Sequence, residues 1–115
     1  MNFFQILKVD TSTGDVTSWK NPGHFVSEPV FIPRPVSAST TNGHHDRNDD
    51  DDDREDDGLL VFTLLSPAAL NNVQLVLLDA SDLREVATVT YRATGTVTEG
   101  FHGLFVMDDE QGWRY

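Results

Sequence analysis

The stretch GLLVFTLLSPAALNNVQLVLLDASDLREVATVTYR, residues 58–92, contains three apolar, β-branched runs. They are GLLVFTLLS (58–66), NVQLVLLDA (72–80) and DLREVATVTYR (82–92), and the turn signals SP and DASD fall between them. This arrangement is typical of an antiparallel all-β meander. GLLVFTLL and VQLVLL are apolar at successive positions, which predicts strands that are covered on both faces. The only helical prediction is a single turn at ALNN (69–72).

The residues on either side of this meander predict further strands. FFQILKVD (3–10) and DVTSWK (15–20) are joined by TSTG, whose Gly14 suits a turn position with positive φ. FVSEPVFIP (25–33) is another strand candidate, and its prolines predict an edge, a bulge or a strand end. GFHGLFVMD (100–108) is the last. The aromatic side chains of the early runs are expected in the core: Trp19, Phe25, Phe31 and Phe62.

Residues 36–57 form an acidic insert with almost no apolar side chains. The insert ends in a run that holds nine of the 19 acidic residues and only two arginines, so most of the net charge of −11 lies there. Mutual repulsion and the lack of apolar area leave nothing to offset the entropy of ordering, which predicts a disordered loop. An EF-hand is excluded because Asp51 stands where the calcium loop requires glycine.

The bulk composition excludes several classes of protein. A chain of 115 residues builds one small domain, and its acidity argues against nucleic acid as a partner. Without cysteine there is no disulfide, thiolate chemistry or cysteine-based zinc site. With no leader and no apolar run of membrane-spanning length, we expect a cytoplasmic location.

Four segments in this order resemble the C-terminal part of the carotenoid oxygenase family, which includes carotenoid cleavage dioxygenases and a retinoid isomerohydrolase. The segments are KVDTSTGDVTSWKNPGHFVSEPVFIPRP (8–35), EDDGLLVFTLL (55–65), LVLLDASDLREVATV (75–89) and GFHGLF (100–105). The resemblance implies the last blades of a seven-bladed β-propeller that is incomplete in this chain. Residues 1–35 would then be propeller strands with the SEPVF motif, 36–57 the acidic disordered loop, and 58–115 the final strands and the tail.

The resemblance also implies a metal site. Family members hold iron(II) with four histidines from different blades, and His102, in FHGLF, matches the last of them. Glu28, in SEPVF, matches a glutamate that hydrogen-bonds the ring of that histidine. A carboxylate in this position fixes the tautomer and the direction of a ligating imidazole. No residue here is expected to act as a general acid, base or nucleophile.

The residues themselves are consistent with this pairing. An unpaired Glu28 carboxylate in an apolar run would be costly, so it should have a specific partner, and we expect it within about 3.2 Å of a ring nitrogen of His102. Gly100 and Gly103 flank that histidine with minimal bulk, which suits close backbone approach. His24, His44 and His45 are not assigned a role. Trp113 and Tyr115 lie in a polar tail that the sequence does not place.

The function implied is oxidative cleavage of a carbon–carbon double bond of a carotenoid or apocarotenoid by dioxygen, which gives carbonyl products. The cofactor would be Fe(II), and membrane contact would involve regions outside this chain. Two alternatives remain open: a retinoid isomerohydrolase of the same family, and a non-catalytic, degenerate all-β module. Because one histidine cannot hold the metal, the isolated chain is expected to be inactive.

Overall fold

The computed structural model describes residues 5–35, 55–100 and 102–106, and every regular element within them is a β-strand. The seven strands are β1 (Gln5–Val9), β2 (Val16–Lys20), β3 (Phe25–Val26), β4 (Val30–Pro33), β5 (Gly58–Ser66), β6 (Ala69–Asp79) and β7 (Glu85–Arg92). The predicted all-β class is therefore confirmed. The described residues contain no helix that could cross a membrane.

The strands form two antiparallel sheets. Strands β1 and β2 are a hairpin, and the second sheet has the order β3-β5-β6-β7, with β4 paired to the same edge of β5 as β3. The predicted meander of residues 58–92 corresponds to β5, β6 and β7. Four strand positions in up-and-down order are the arrangement of a propeller blade.

Three local predictions were wrong. ALNN (69–72) forms the start of β6 rather than a helical turn, because Pro67 and Ala68 make the turn and the next residue pairs back to Ser66. The run FVSEPVFIP is two strands rather than one, β3 and β4. Residues 102–106, predicted as part of a strand, have no regular structure, and the remainder of that run lies largely outside the described residues.

The core lies between the two sheets. Phe62, Leu64, Val76 and Leu78 of β5 and β6 are at most 2% exposed, and Ile6 of β1 packs against them. Trp19 of β2 meets Phe62 edge to face, with ring centroids 5.0 Å apart. Both residues were predicted to be core.

The outer strands of the larger sheet are less covered than its centre. Phe31 is 40% exposed, which contradicts its predicted place in the core, and Phe25 is only half-buried. Strand β7 is exposed along its whole length, with Val89 and Tyr91 about half exposed at 53% and 47%. The prediction that β5 and β6 are covered on both faces is met only in part, because Val61, Thr63 and Leu75 on the second face are half-buried.

Two basic side chains fix the end of the acidic segment. The Lys8 ammonium group pairs with Asp56 and donates to the carbonyl oxygens of Ala80 and Ser81 at 3.0 and 2.7 Å. Arg34 Nε lies 2.6 Å from Asp57 Oδ1. These contacts order residues 55–57 ahead of β5, whereas residues 36–54 of the predicted disordered loop lie outside the described residues.

The β1–β2 and β6–β7 hairpins contain the same hydrogen-bonded Asp-x-Ser turn. In each, the first carboxylate accepts hydrogen bonds from the backbone N–H and the hydroxyl of the serine two residues later: Asp10 with Ser12, and Asp79 with Ser81. These bonds, chiefly the one from the hydroxyl, hold the pKa of both carboxyl groups below the usual value. The predicted Gly14 turn is confirmed, with φ at 79°.

The acid dependence of stability should follow from Asp79. Because its pKa is lower in the folded chain, the carboxylate contributes stability above the unfolded pKa, and that contribution is lost as the pH falls through the folded pKa. Asp79→Asn should therefore lower the free energy of unfolding at neutral pH and flatten its decline below about pH 4. Urea denaturation at several pH values measures this, with Asp15→Asn in the other hairpin as the charge-matched control. If the free energy of unfolding of Asp79→Asn declines below about pH 4 as steeply as that of the parent chain, Asp79 does not cause the acid dependence.

Gly58 should be intolerant of substitution. A Cβ at this position would lie 2.3 Å from the carbonyl oxygen of Ile32 and 2.8 Å from the ring of Phe31. We expect Gly58→Ala to reduce the free energy of unfolding by about 1–3 kcal/mol, as overpacking usually does. The matched control is Gly95→Ala, where an added Cβ meets nothing within 4 Å. Equal stability of the two variants in chemical denaturation would show that β4 does not approach Gly58 as described.

Candidate metal-ligand pair

Glu28 and His102 are in direct contact, although 74 positions separate them in the chain. Glu28 Oε2 lies 2.6 Å from His102 Nδ1, so the predicted contact is confirmed. The side chains are 51% and 68% exposed, respectively. The partner is therefore where the sequence placed it, but the reason given from burial was wrong, since half of the glutamate side chain remains in solvent.

A β-bulge directs Glu28 towards the histidine. Three residues separate Val26 and Val30, whereas only two separate their partners Leu64 and Val61 on β5. One extra residue is therefore inserted, and the prediction that the prolines mark an edge or a bulge is confirmed. In an unbroken strand Glu28 would oppose Phe62, in the middle of the core.

The extra residue reverses the faces of the strand. Side chains alternate along a strand, so one inserted residue moves every following side chain to the other face. Val26 therefore packs in the core, while Val30 and Ile32 line a recess on the opposite face together with Glu28. The reversal places Phe31 opposite Leu60 on the core side of the sheet, where its ring lies over Gly58 in the outer strand and remains 40% exposed.

Close packing of a glycine brings the segment after β7 to this recess. A Cβ on Gly103 would lie 3.0 Å from Val30 Cγ2, so a larger residue would force Val30 or the backbone beside His102 to shift by a few tenths of an ångström. The predicted role of Gly103 is thus consistent with the structure. Gly100 was wrongly included, because an added Cβ there meets nothing within 4 Å.

The pair lies at the edge of an apolar recess of about 340 Å³. Its apolar lining comes from β4, β5, β6 and the segment after β7: Val30, Ile32, Val61, Leu75, Leu104 and Phe105. Leu104 is 85% exposed and Phe105 43% exposed. The carboxylate and the imidazole are therefore the ionisable groups of a largely hydrocarbon surface that the described residues leave open.

The contact determines what the imidazole offers chemically. When Nδ1–H donates to the Glu28 carboxylate, the lone pair of the neutral ring resides on Nε2, the nitrogen suited to a metal ion. The described residues contain no group of three or more histidine, aspartate or glutamate side chains that could hold a metal ion. An imidazole nitrogen is a donor that suits iron(II), and His102 is the only histidine among the described residues that line this recess.

The other described histidine, His24, does not join this pair. His24 lies in the turn before β3, where its Nδ1 is 3.3 Å from the carbonyl oxygen of Pro22. His44 and His45, like Trp113 and Tyr115, lie outside the described residues. The sequence analysis also missed Ser27, whose hydroxyl accepts a backbone hydrogen bond from Thr63 at 2.9 Å. The signal was a hydroxyl side chain beside Glu-Pro within an apolar run.

Comparison with known proteins identifies the family. A family model described as retinal pigment epithelial membrane protein matches residues 1–107. Carotenoid isomerooxygenase of Galleria mellonella is 33% identical over 101 residues, which are 88% of this chain and 17% of that protein. The chain thus spans about a sixth of the length of this relative. The matched range includes both the SEPVF segment and the histidine it contacts, and the chain belongs to the carotenoid oxygenase family.

Proposed function

We propose that this chain is the C-terminal part of a non-haem iron(II) dioxygenase that cleaves a carbon–carbon double bond of a carotenoid or apocarotenoid to carbonyl products. The observation that supports this most is the 2.6 Å contact between the Glu28 carboxylate and His102 Nδ1. A histidine whose one ring nitrogen is held by a carboxylate is the usual form of a protein metal ligand. The carotenoid substrate is suggested by the name of the relative from Galleria mellonella, carotenoid isomerooxygenase.

In this proposal the two residues have distinct roles. His102 binds iron through Nε2, and Glu28 accepts the proton of Nδ1, which fixes the tautomer and raises the basicity of the ring. Bound ferrous iron would supply the redox centre that reacts with dioxygen. The remaining histidines come from other blades of the propeller, since the described residues offer no cluster of ligands. The proposed location of the enzyme is the cytoplasm, and other parts of the protein would make any contact with membranes.

Variants of the longer enzyme test these roles. His102→Ala removes a ligand, so the bound iron and the cleavage of β-carotene should both be lost. Glu28→Gln keeps the shape but not the charge, and it should lower iron affinity or activity by roughly 10–100-fold. Metal analysis and chromatography of the products measure both effects, with His24→Ala as the control that keeps normal values.

The outcomes of the same experiment separate the alternatives. Full iron content and activity in His102→Ala would overturn the ligand assignment. Conversion of retinyl ester in place of β-carotene cleavage would assign the protein to the isomerohydrolase branch.

The isolated chain of 115 residues should not cleave carotenoids. It presents one proposed iron ligand, and a single imidazole does not retain the metal against solvent. Incubation of the purified chain with ferrous iron, dioxygen and β-carotene is expected to give no aldehyde product above that of iron alone. The transcript that encodes the chain should also encode three further ligand histidines. Cleavage by the chain alone would contradict the proposal, and a transcript without those histidines would leave the non-catalytic module as the function.

A further inference from the structure

The hydroxyl of Ser27 stands in for a backbone carbonyl at the end of β3. Ser27 and Thr63 are the next pair in the register of β3 and β5, and the Ser27 N–H donates to the Thr63 carbonyl at 3.0 Å. In a regular antiparallel pair the Thr63 N–H would donate to the carbonyl of Ser27 in return. It donates instead to the Ser27 hydroxyl, at 2.9 Å.

Because the Ser27 hydroxyl replaces the Ser27 carbonyl as acceptor, the main chain can leave the strand pairing after Ser27 while the Thr63 N–H keeps a hydrogen bond. With the Ser27 carbonyl freed from its usual donor, the chain can insert one residue before it pairs again at Val30. Pro29 has no N–H to lose at this position. The hydroxyl also lies 3.5 Å from the carbonyl oxygen of Glu28. The Ser27 hydroxyl therefore keeps the half-buried Thr63 N–H hydrogen-bonded where the bulge removes its usual carbonyl partner.

We propose that Ser27 is a positioning residue for the metal ligand: its hydroxyl holds the bulge that points Glu28 at His102 instead of at the core. Ser27 acts through Glu28 and is not itself a ligand. The importance of this role for catalysis rests on the proposed function, whereas the positioning itself concerns contacts within this chain. Thr63 was not singled out by the sequence, and the prolines predicted a bulge only as one of three possibilities.

Two substitutions at one position test the role of the hydroxyl. Ser27→Ala removes it, and Ser27→Thr keeps it. In the 115-residue chain, nitrogen-15 NMR in alkaline buffer reports which ring nitrogen of His102 carries the proton. The parent chain and Ser27→Thr should show the proton on Nδ1, and Ser27→Ala should shift towards the mixture of a free imidazole. Amide exchange at Thr63 should rise roughly tenfold in Ser27→Ala alone.

These readouts are independent of general stability and of iron. The amide exchange of Leu75 and Leu77, in the centre of the sheet, serves as the control for global unfolding in every variant. If Ser27→Ala does not fold, the parent chain alone still tests the proposal. Its Thr63 amide is predicted to be hydrogen-bonded and must therefore exchange slowly. A Thr63 amide that exchanges as fast as an open loop, or a His102 tautomer unchanged in a folded Ser27→Ala, would overturn the proposal. Both measurements omit iron, so a failure of the proposed enzyme function would leave them unaffected.

Discussion

The alternation of side chains along a strand is the constraint on which this structure depends. Strand β5 places Phe62 and Leu64 in the core and leaves Val61 and Thr63 on the other face, so any strand beside it must match that pattern. One residue added between β3 and β4 reverses which alternate side chains face the core. Both strands can therefore pair with β5, although equivalent positions before and after the insertion lie on opposite faces. The carboxylate that would otherwise be forced into hydrocarbon becomes accessible to an imidazole.

The sequence predicted those elements that depend on local patterns. Apolar runs with turn signals located β5, β6 and β7, and Gly14 marked a turn with positive φ. The pairing of Glu28 with His102 came from the family resemblance, and the contact is present.

The sequence could not predict features that arise from register between distant strands. The break in FVSEPVFIP depends on which residues of β5 lie opposite, and a proline alone does not specify an inserted residue. Phe31 was predicted to be a core residue from its aromatic type, whereas its place in the outer strand β4 leaves it partly exposed. Gly100 and Gly103 look alike in the sequence, and only the position of Val30 distinguishes them. The face that Glu28 occupies is thus a property of the sheet rather than of its own segment.

The outer strand β7 has a consequence for the behaviour of the polypeptide in solution. Its side chains are exposed throughout, it contains neither proline nor glycine, and within residues 5–35, 55–100 and 102–106 only one of its edges is paired, by β6. An edge of this kind offers a row of main-chain donors and acceptors on which a strand from another molecule can add. The net charge of −11 opposes such association by mutual repulsion. Salt screens that repulsion, so colloidal stability of this polypeptide is governed by ionic strength, and dilute low-salt buffers favour the monomer.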